Sequence, residues 1–73
     1  MSRRFTAIIK KEDGGYTALC PELDIASQGE TVEAARDNLQ EALELFFESA
    51  SVTEINQRLS NEVFITGVEV MVG

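Results

Sequence analysis

The stretch from Thr31 to Ser49 constrains the fold more than any other part of the chain. Thr31 is a good helix N-cap, because its hydroxyl accepts from one of the first unpaired amides. Glu30 and Glu33 put negative charge at the positive end of the helix dipole. The reciprocal capping box is missing, since Ala34 stands three residues after Thr31. From Val32 onward, Ala35, Leu39, Ala42, Leu43, Phe46 and Ala50 recur at spacings of three and four. Such spacing marks one face of a helix, so the pattern predicts a helix from Val32 to about Ser49. Leu45 and Phe47 widen the apolar stripe beyond what one sheet face needs. They either finish the edge of the core or meet a partner.

The segments on either side read as strands. Arg4 to Glu12 alternates, with Phe5, Ala7 and Ile9 on one face and Arg4, Thr6, Ile8 and Lys10 on the other. Asp13, Gly14 and Gly15 supply a tight turn, since glycine tolerates positive φ. Tyr16 to Cys20 is the returning strand. Pro21 cannot donate to a sheet ladder and should end it or sit on an edge. Ile25 to Gln28 reads as a short third strand that Gly29 breaks. Thr53 to Leu59 is a short helical segment with Thr53 as its candidate cap. Val63 to Val72 reads as a last strand: Phe64, Thr66, Val68, Val70 and Val72 lie on one face, and Val63, Ile65, Gly67, Glu69 and Met71 on the other. The expected class is α+β, in the order β-β-β-α-β, with the helices packed on one face of a small sheet. A strand apolar on both faces needs cover on both, and one helix covers only one. The second face then calls for another subunit or a partner.

Size strengthens that expectation. A single core in 73 residues rarely supplies more than about 3–5 kcal/mol. Cys20 is the only cysteine, so no internal disulfide can help. A homo-oligomer, dimer or higher, is the expected extra source of stability. A lone thiol without a secretory signal pattern points to a reducing, cytoplasmic setting. Charge is divided unevenly. Residues 1–11 hold Arg3, Arg4, Lys10 and Lys11 and no acid, while the rest holds Arg36 and Arg58 against all thirteen acids. An acidic body disfavours direct nucleic-acid binding and suits a basic partner. On the helix, Asp37, Glu41, Glu44 and Glu48 stack at spacings of three and four. Like charges so placed cost helix stability, so the row serves solubility or presents a negative stripe.

Few chemistries fit these residues. There is no histidine, which removes the usual general base near neutral pH, the Ser–His–Asp and Cys–His arrangements, and common zinc sites. Two magnesium ions would need acids converging from strand and helix at one end of the sheet, yet the first strand has none between Phe5 and Lys11. Asp13-Gly14-Gly15 lacks the longer pattern of a phosphate loop and reads as a plain turn. Ser27, Ser49, Ser51 and Ser60 read as surface, cap or turn residues, and Cys20 as a buried, inert thiol. No catalytic residue, metal site or cofactor is expected.

Several pieces in order carry a family resemblance. They are Phe5-Thr6-Ala7-Ile8-Ile9, Asp13-Gly14-Gly15-Tyr16, Ala18, Pro21-Glu22-Leu23, Ser27-Gln28-Gly29-Glu30-Thr31, and then Ala34-Ala35, Asn38-Leu39 and Glu41-Ala42-Leu43. Together they resemble the HicB family, the antitoxin half of a toxin–antitoxin pair. The resemblance implies a single HicB-like domain over residues 1–73, with a partial ribonuclease-H-like fold and no nuclease activity. It implies a partner, HicA, a small basic toxin that cleaves RNA with a histidine and is neutralised by direct binding. Two departures stand out. Where many members read Pro-Gly-Cys, this chain has Asp24-Ile25-Ala26, and it ends at Gly73 without the C-terminal DNA-binding domain of many members. The expected function is an antitoxin-like binding module, with Glu41, Glu44, Leu45, Phe47 and Glu48 as candidate contacts. Gly14, Gly15, Pro21, Gly29 and Thr31 are the expected structural positions. An orphan homo-oligomeric domain of structural or regulatory role is the alternative, and a residual nuclease a third.

Overall fold

A two-residue loop, Asp13-Gly14, folds the first two strands against each other. Gly14 takes a φ of 78°, a left-handed conformation that costs glycine little. Gly15 does not share that role. It opens the second strand, where an added Cβ would stand 2.8 Å from the carbonyl oxygen of Gly29. In this computed structural model, which describes residues 2–73, the strands are β1 (Ile8–Glu12), β2 (Gly15–Cys20) and β3 (Ile25–Gly29). They form one antiparallel sheet in the order β1-β2-β3. Pro21 ends β2, and the turn to β3 passes through Asp24 at a φ of 53°.

The register sets the two faces. Ile8 opposes Leu19, which opposes Ala26, and this row points away from the helices. Ile9 opposes Ala18 on the inner face, where Ala18 and Cys20 are fully buried. Helix α1 (Val32–Ser49) lies against this inner face, mostly over β3 and β2, and scarcely reaches β1. Ala35 and Leu39 are its buried residues. With Leu23, Ala18 and Cys20 they form the core, flanked by Phe5, Ile9, Tyr16, Ile25, Leu43, Phe46 and Leu59. The helical reading of the sequence holds at both ends, and Thr31 caps as expected: its side chain accepts from the Ala34 amide at 3.0 Å. Helix α2 (Val52–Leu59) follows after a short break.

Four sequence expectations need correction. β1 begins at Ile8 rather than Arg4. The register would carry Thr6 opposite Pro21, which has no amide to offer, so the ladder stops short. Gly29 does not break β3 but ends it, paired with Tyr16. The cap of α2 is Ser51, not Thr53, and it accepts from the Glu54 amide at 3.1 Å. The last strand does not form: residues 62–73 pair with no strand and are exposed throughout. The order is therefore β-β-β-α-α. Alternation shows that a segment suits a ladder, but not that an edge of its own chain will receive it. An 18-residue helix spans about 27 Å. The longest dimension of the molecule is 49 Å.

Gly29 fixes how closely sheet and helix approach. A Cβ there would lie 2.5 Å from the Ala35 nitrogen and 2.7 Å from the Ala34 carbonyl carbon, both backbone atoms. Gly29→Ala should therefore destabilise the fold by about 1–3 kcal/mol, the usual range for overpacking. Denaturant unfolding tests this, and a variant as stable as the parent would show that α1 is free to shift outward.

Candidate partner-binding surface

The helix periodicity places the five candidate contacts around α1. Asp37, Glu41, Glu44 and Glu48 run along the face opposite Ala35 and Leu39, and all four are exposed. Arg36 pairs with Asp37 at 3.1 Å and so offsets the N-terminal end of the row. Among the described residues, Glu41, Glu44 and Glu48 have no ion-pair partner. The stripe read from the sequence is thus a real surface feature of three free carboxylates.

Leu45 and Phe47 do not act together. They lie on opposite flanks of the stripe. Leu45 is 57% exposed and points away from the groove described below. Phe47 turns toward the chain preceding β1. Its ring stacks on Phe5 with centroids 5.6 Å apart, and its edge meets Phe46 at 5.4 Å. Because α1 sits over β2 and β3, an open groove remains between α1 and residues 2–7. Leu39, Leu43, Phe47, Phe5 and Ala7 supply its apolar lining. Glu44 and Glu48 stand on one rim, and Arg3 and Arg4 line the groove from the other side. The Arg3 guanidinium also lies 5.2 Å from the centre of the Phe5 ring. Glu41 does not line the groove.

Glu22 anchors the far wall, which residues 2–7 form. Its carboxylate accepts from the Thr6 amide at 3.1 Å and from the Thr6 hydroxyl at 2.7 Å. These bonds hold the segment before β1 where the ladder has stopped. Partial burial works against the charge on Glu22, but the hydrogen bonds, led by the Thr6 hydroxyl, outweigh it and lower its pKa. Cys20 Sγ lies 3.5 Å from the same carboxylate. Burial is the main reason the thiol's pKa is raised, and the neighbouring carboxylate adds to it. Cys20 is wholly buried, as read from the sequence. Ser49, Ser51 and Ser60 bond to nearby backbone, which is the cap and turn role expected of them.

Sequence reasoning missed Glu22 and Arg58. Arg58 donates to the Leu23 carbonyl at 2.6 Å and lies 5.3 Å from the centre of the Phe46 ring, tying α2 to the β2–β3 turn. A lone arginine on the flank of the short helix's apolar face was the available signal. Glu22 gave none, because its partner is sixteen residues away. Among the described residues, no group of three or more potential metal ligands gathers, and no helix is long and apolar enough to cross a membrane.

Two cyanobacterial proteins resemble the chain. The UPF0150 protein ssr1765 of Synechocystis sp. is 51% identical over 47 residues, covering 62% of this chain and 60% of that protein. The UPF0150 protein ssl0738 of the same organism is 46% identical over 50 residues, covering 66% of this chain and 69% of that protein. The chain thus spans less than two thirds of the length of the first. No family model and no solved structure matches.

The Thr6–Glu22 contact has a pH signature. A carboxylate whose pKa is lowered by folding adds stability above its unfolded pKa, and that stability is lost as pH falls through the folded value. Glu22→Ala should cost about 1–2 kcal/mol at neutral pH, since bonds to a charged group are the stronger kind and this one is only partly buried. The gap between parent and variant should shrink on acidification below the usual carboxylate range. Urea titrations at neutral and acid pH measure it, and a gap independent of pH would refute the charged contact.

Proposed function

The chain belongs to the UPF0150 family, and on that premise we propose that it is a non-enzymatic, antitoxin-like module of the cytoplasm that binds and neutralises a HicA-type RNA-cleaving toxin. The observation that carries this reading is the row of exposed, unpaired carboxylates at Glu41, Glu44 and Glu48 beside the apolar groove at Phe47. A basic toxin with an apolar contact patch is complementary to both features. Charge of this kind speeds and orients association, while the apolar part retains the partner. The ordered pieces that resemble HicB support the same reading. Their hairpin, their Pro21 turn and their Thr31 cap are structural features of this fold. The β-β-β-α opening agrees with a partial ribonuclease-H-like frame.

A second reading is an orphan homo-oligomer of structural or regulatory role, without a toxin. The exposed apolar tail favours it, because a monomer has no use for such a segment.

The two readings separate in a binding experiment with a small, basic, histidine-containing protein encoded beside this chain. Glu41→Lys, Glu44→Lys and Glu48→Lys together should slow association at least about tenfold at low salt, with a smaller effect at high salt. RNA cleavage by the partner should then escape inhibition. Unchanged binding by the triple variant would eliminate the stripe as the contact.

A further inference from the structure

Residues 63–72 carry a strand's alternation and lack a strand's partner. Phe64, Ile65, Val68, Val70, Met71 and Val72 are between 56% and 94% exposed, with no ladder in their own chain. The sheet offers two open edges, β1 and β3. We infer that the tail of one copy adds as a fourth strand to the β1 edge of a second copy, and that the exchange is reciprocal. This gives the homo-oligomeric reading its geometry and rests on it.

Three observations select β1 and a second copy. The first is cover. Helix α1 shields the inner face at β2 and β3 but not beyond β1, and the apolar groove of Leu39, Leu43, Phe47 and Phe5 lies beside residues 2–7, which lead into that edge. A strand added there sends alternate side chains into the groove. The second is parity. The Phe64, Val68, Val70 and Val72 face is apolar apart from Thr66, which suits the groove. The opposite face then continues the outward row that contains Ile8, Lys10 and Leu19. The third is charge. Glu69 lies on that outward tail face and is the only charged residue from Val63 to Gly73. Strand β1 presents Lys10 outward, 4.0 Å from Glu12 on the same face, with Lys11 next to it, whereas β3 has no cation. Glu69 therefore meets opposite charge only at β1.

The area suffices for a stable pair. Each fully buried apolar side chain removes roughly 60–120 Å² from water. The four groove-facing side chains of each tail, Phe64, Val68, Val70 and Val72, remove roughly 500–1,000 Å² over two tails before the acceptor surfaces are counted, and an equal acceptor area brings the total to roughly 1,000–1,900 Å², against a standard range of about 1,200–2,000 Å². A twofold exchange closes on itself and leaves no free β1 edge.

The test uses the purified full chain alone. Sedimentation equilibrium should give a dimer. In a mixture of isotopically labelled and unlabelled chains, filtered NOE spectra should connect the Phe64 and Val68 side chains of one copy to Leu43, Phe47 and Ile9 of the other. Val68→Lys with Val70→Lys should raise the dimer dissociation constant at least about tenfold while leaving the helical circular dichroism intact, because both positions are exposed in the single chain. A dimer joined through β3, or one indifferent to the double variant, would overturn the β1 exchange and leave the homo-oligomeric reading standing. A monomer, with its tail free or folded back on its own sheet, would overturn both. None of these results bears on the acidic stripe, which is read with the toxin present.

Discussion

The close approach of β3 to the first turn of α1 at Gly29 decides the rest of the structure. Only a residue without a side chain lets the Ala34–Ala35 backbone come so near. Thr31 then caps α1 two residues later, and Asn38 donates to the Gln28 carbonyl at 2.7 Å, so the two elements are joined along a full turn. With its start fixed there, α1 passes over β3 and β2. Ala35 and Leu39 meet Ala18, Cys20 and Leu23, and the small residues on the sheet allow the helix to sit low. The same placement leaves β1 with little cover. The groove beside it is a consequence of where the helix had to begin.

The fully buried core is small: three of its five members are Ala18, Ala35 and Cys20, which carry little apolar surface. Larger groups such as Phe46, Phe47 and Ile9 are only partly covered. A domain of this size normally draws stability from a staple or a second subunit. Cys20 has no partner for a staple. The chain instead exposes apolar surface at the groove, on the outward face of the sheet and along the tail. The groove lies beside residues 2–7, which lead into the open β1 edge of the sheet.

Local signals were the legible ones. The bounds of α1 followed from the spacing of its apolar face and from Thr31, because cap and periodicity are both written within a few residues. The hairpin followed from Asp13-Gly14-Gly15, although Gly15 opens β2 rather than forming the turn, and the end of β2 followed from Pro21. What could not be read depended on distant or competing partners. Thr6 sits on a strand's alternating pattern, yet its amide goes to Glu22 rather than to a ladder. Both Ser51 and Thr53 are sound caps, and the chain uses the earlier one. Leu45 and Phe47 looked alike as surplus apolar residues, but two positions of helical rotation send them to opposite flanks of the acidic row. Only the packing of Phe5 distinguishes the one that lines a groove.

The tail shows most clearly where sequence reading stops. Its period of two was real, and so was its demand for cover on both faces, but the pattern is indifferent to which chain supplies the neighbouring strand. Local energetics are the same for an edge in the same molecule or in another. What differs is the connection. Helix α2 is tied by Arg58 to the β2–β3 turn, and the tail departs from the end of that helix. The fixed point from which the tail starts, rather than its own residues, therefore governs whether it folds back or reaches outward. An exposed segment with a strand's alternation and an open β1 edge in the same molecule are the two halves that the proposed exchange would join between copies.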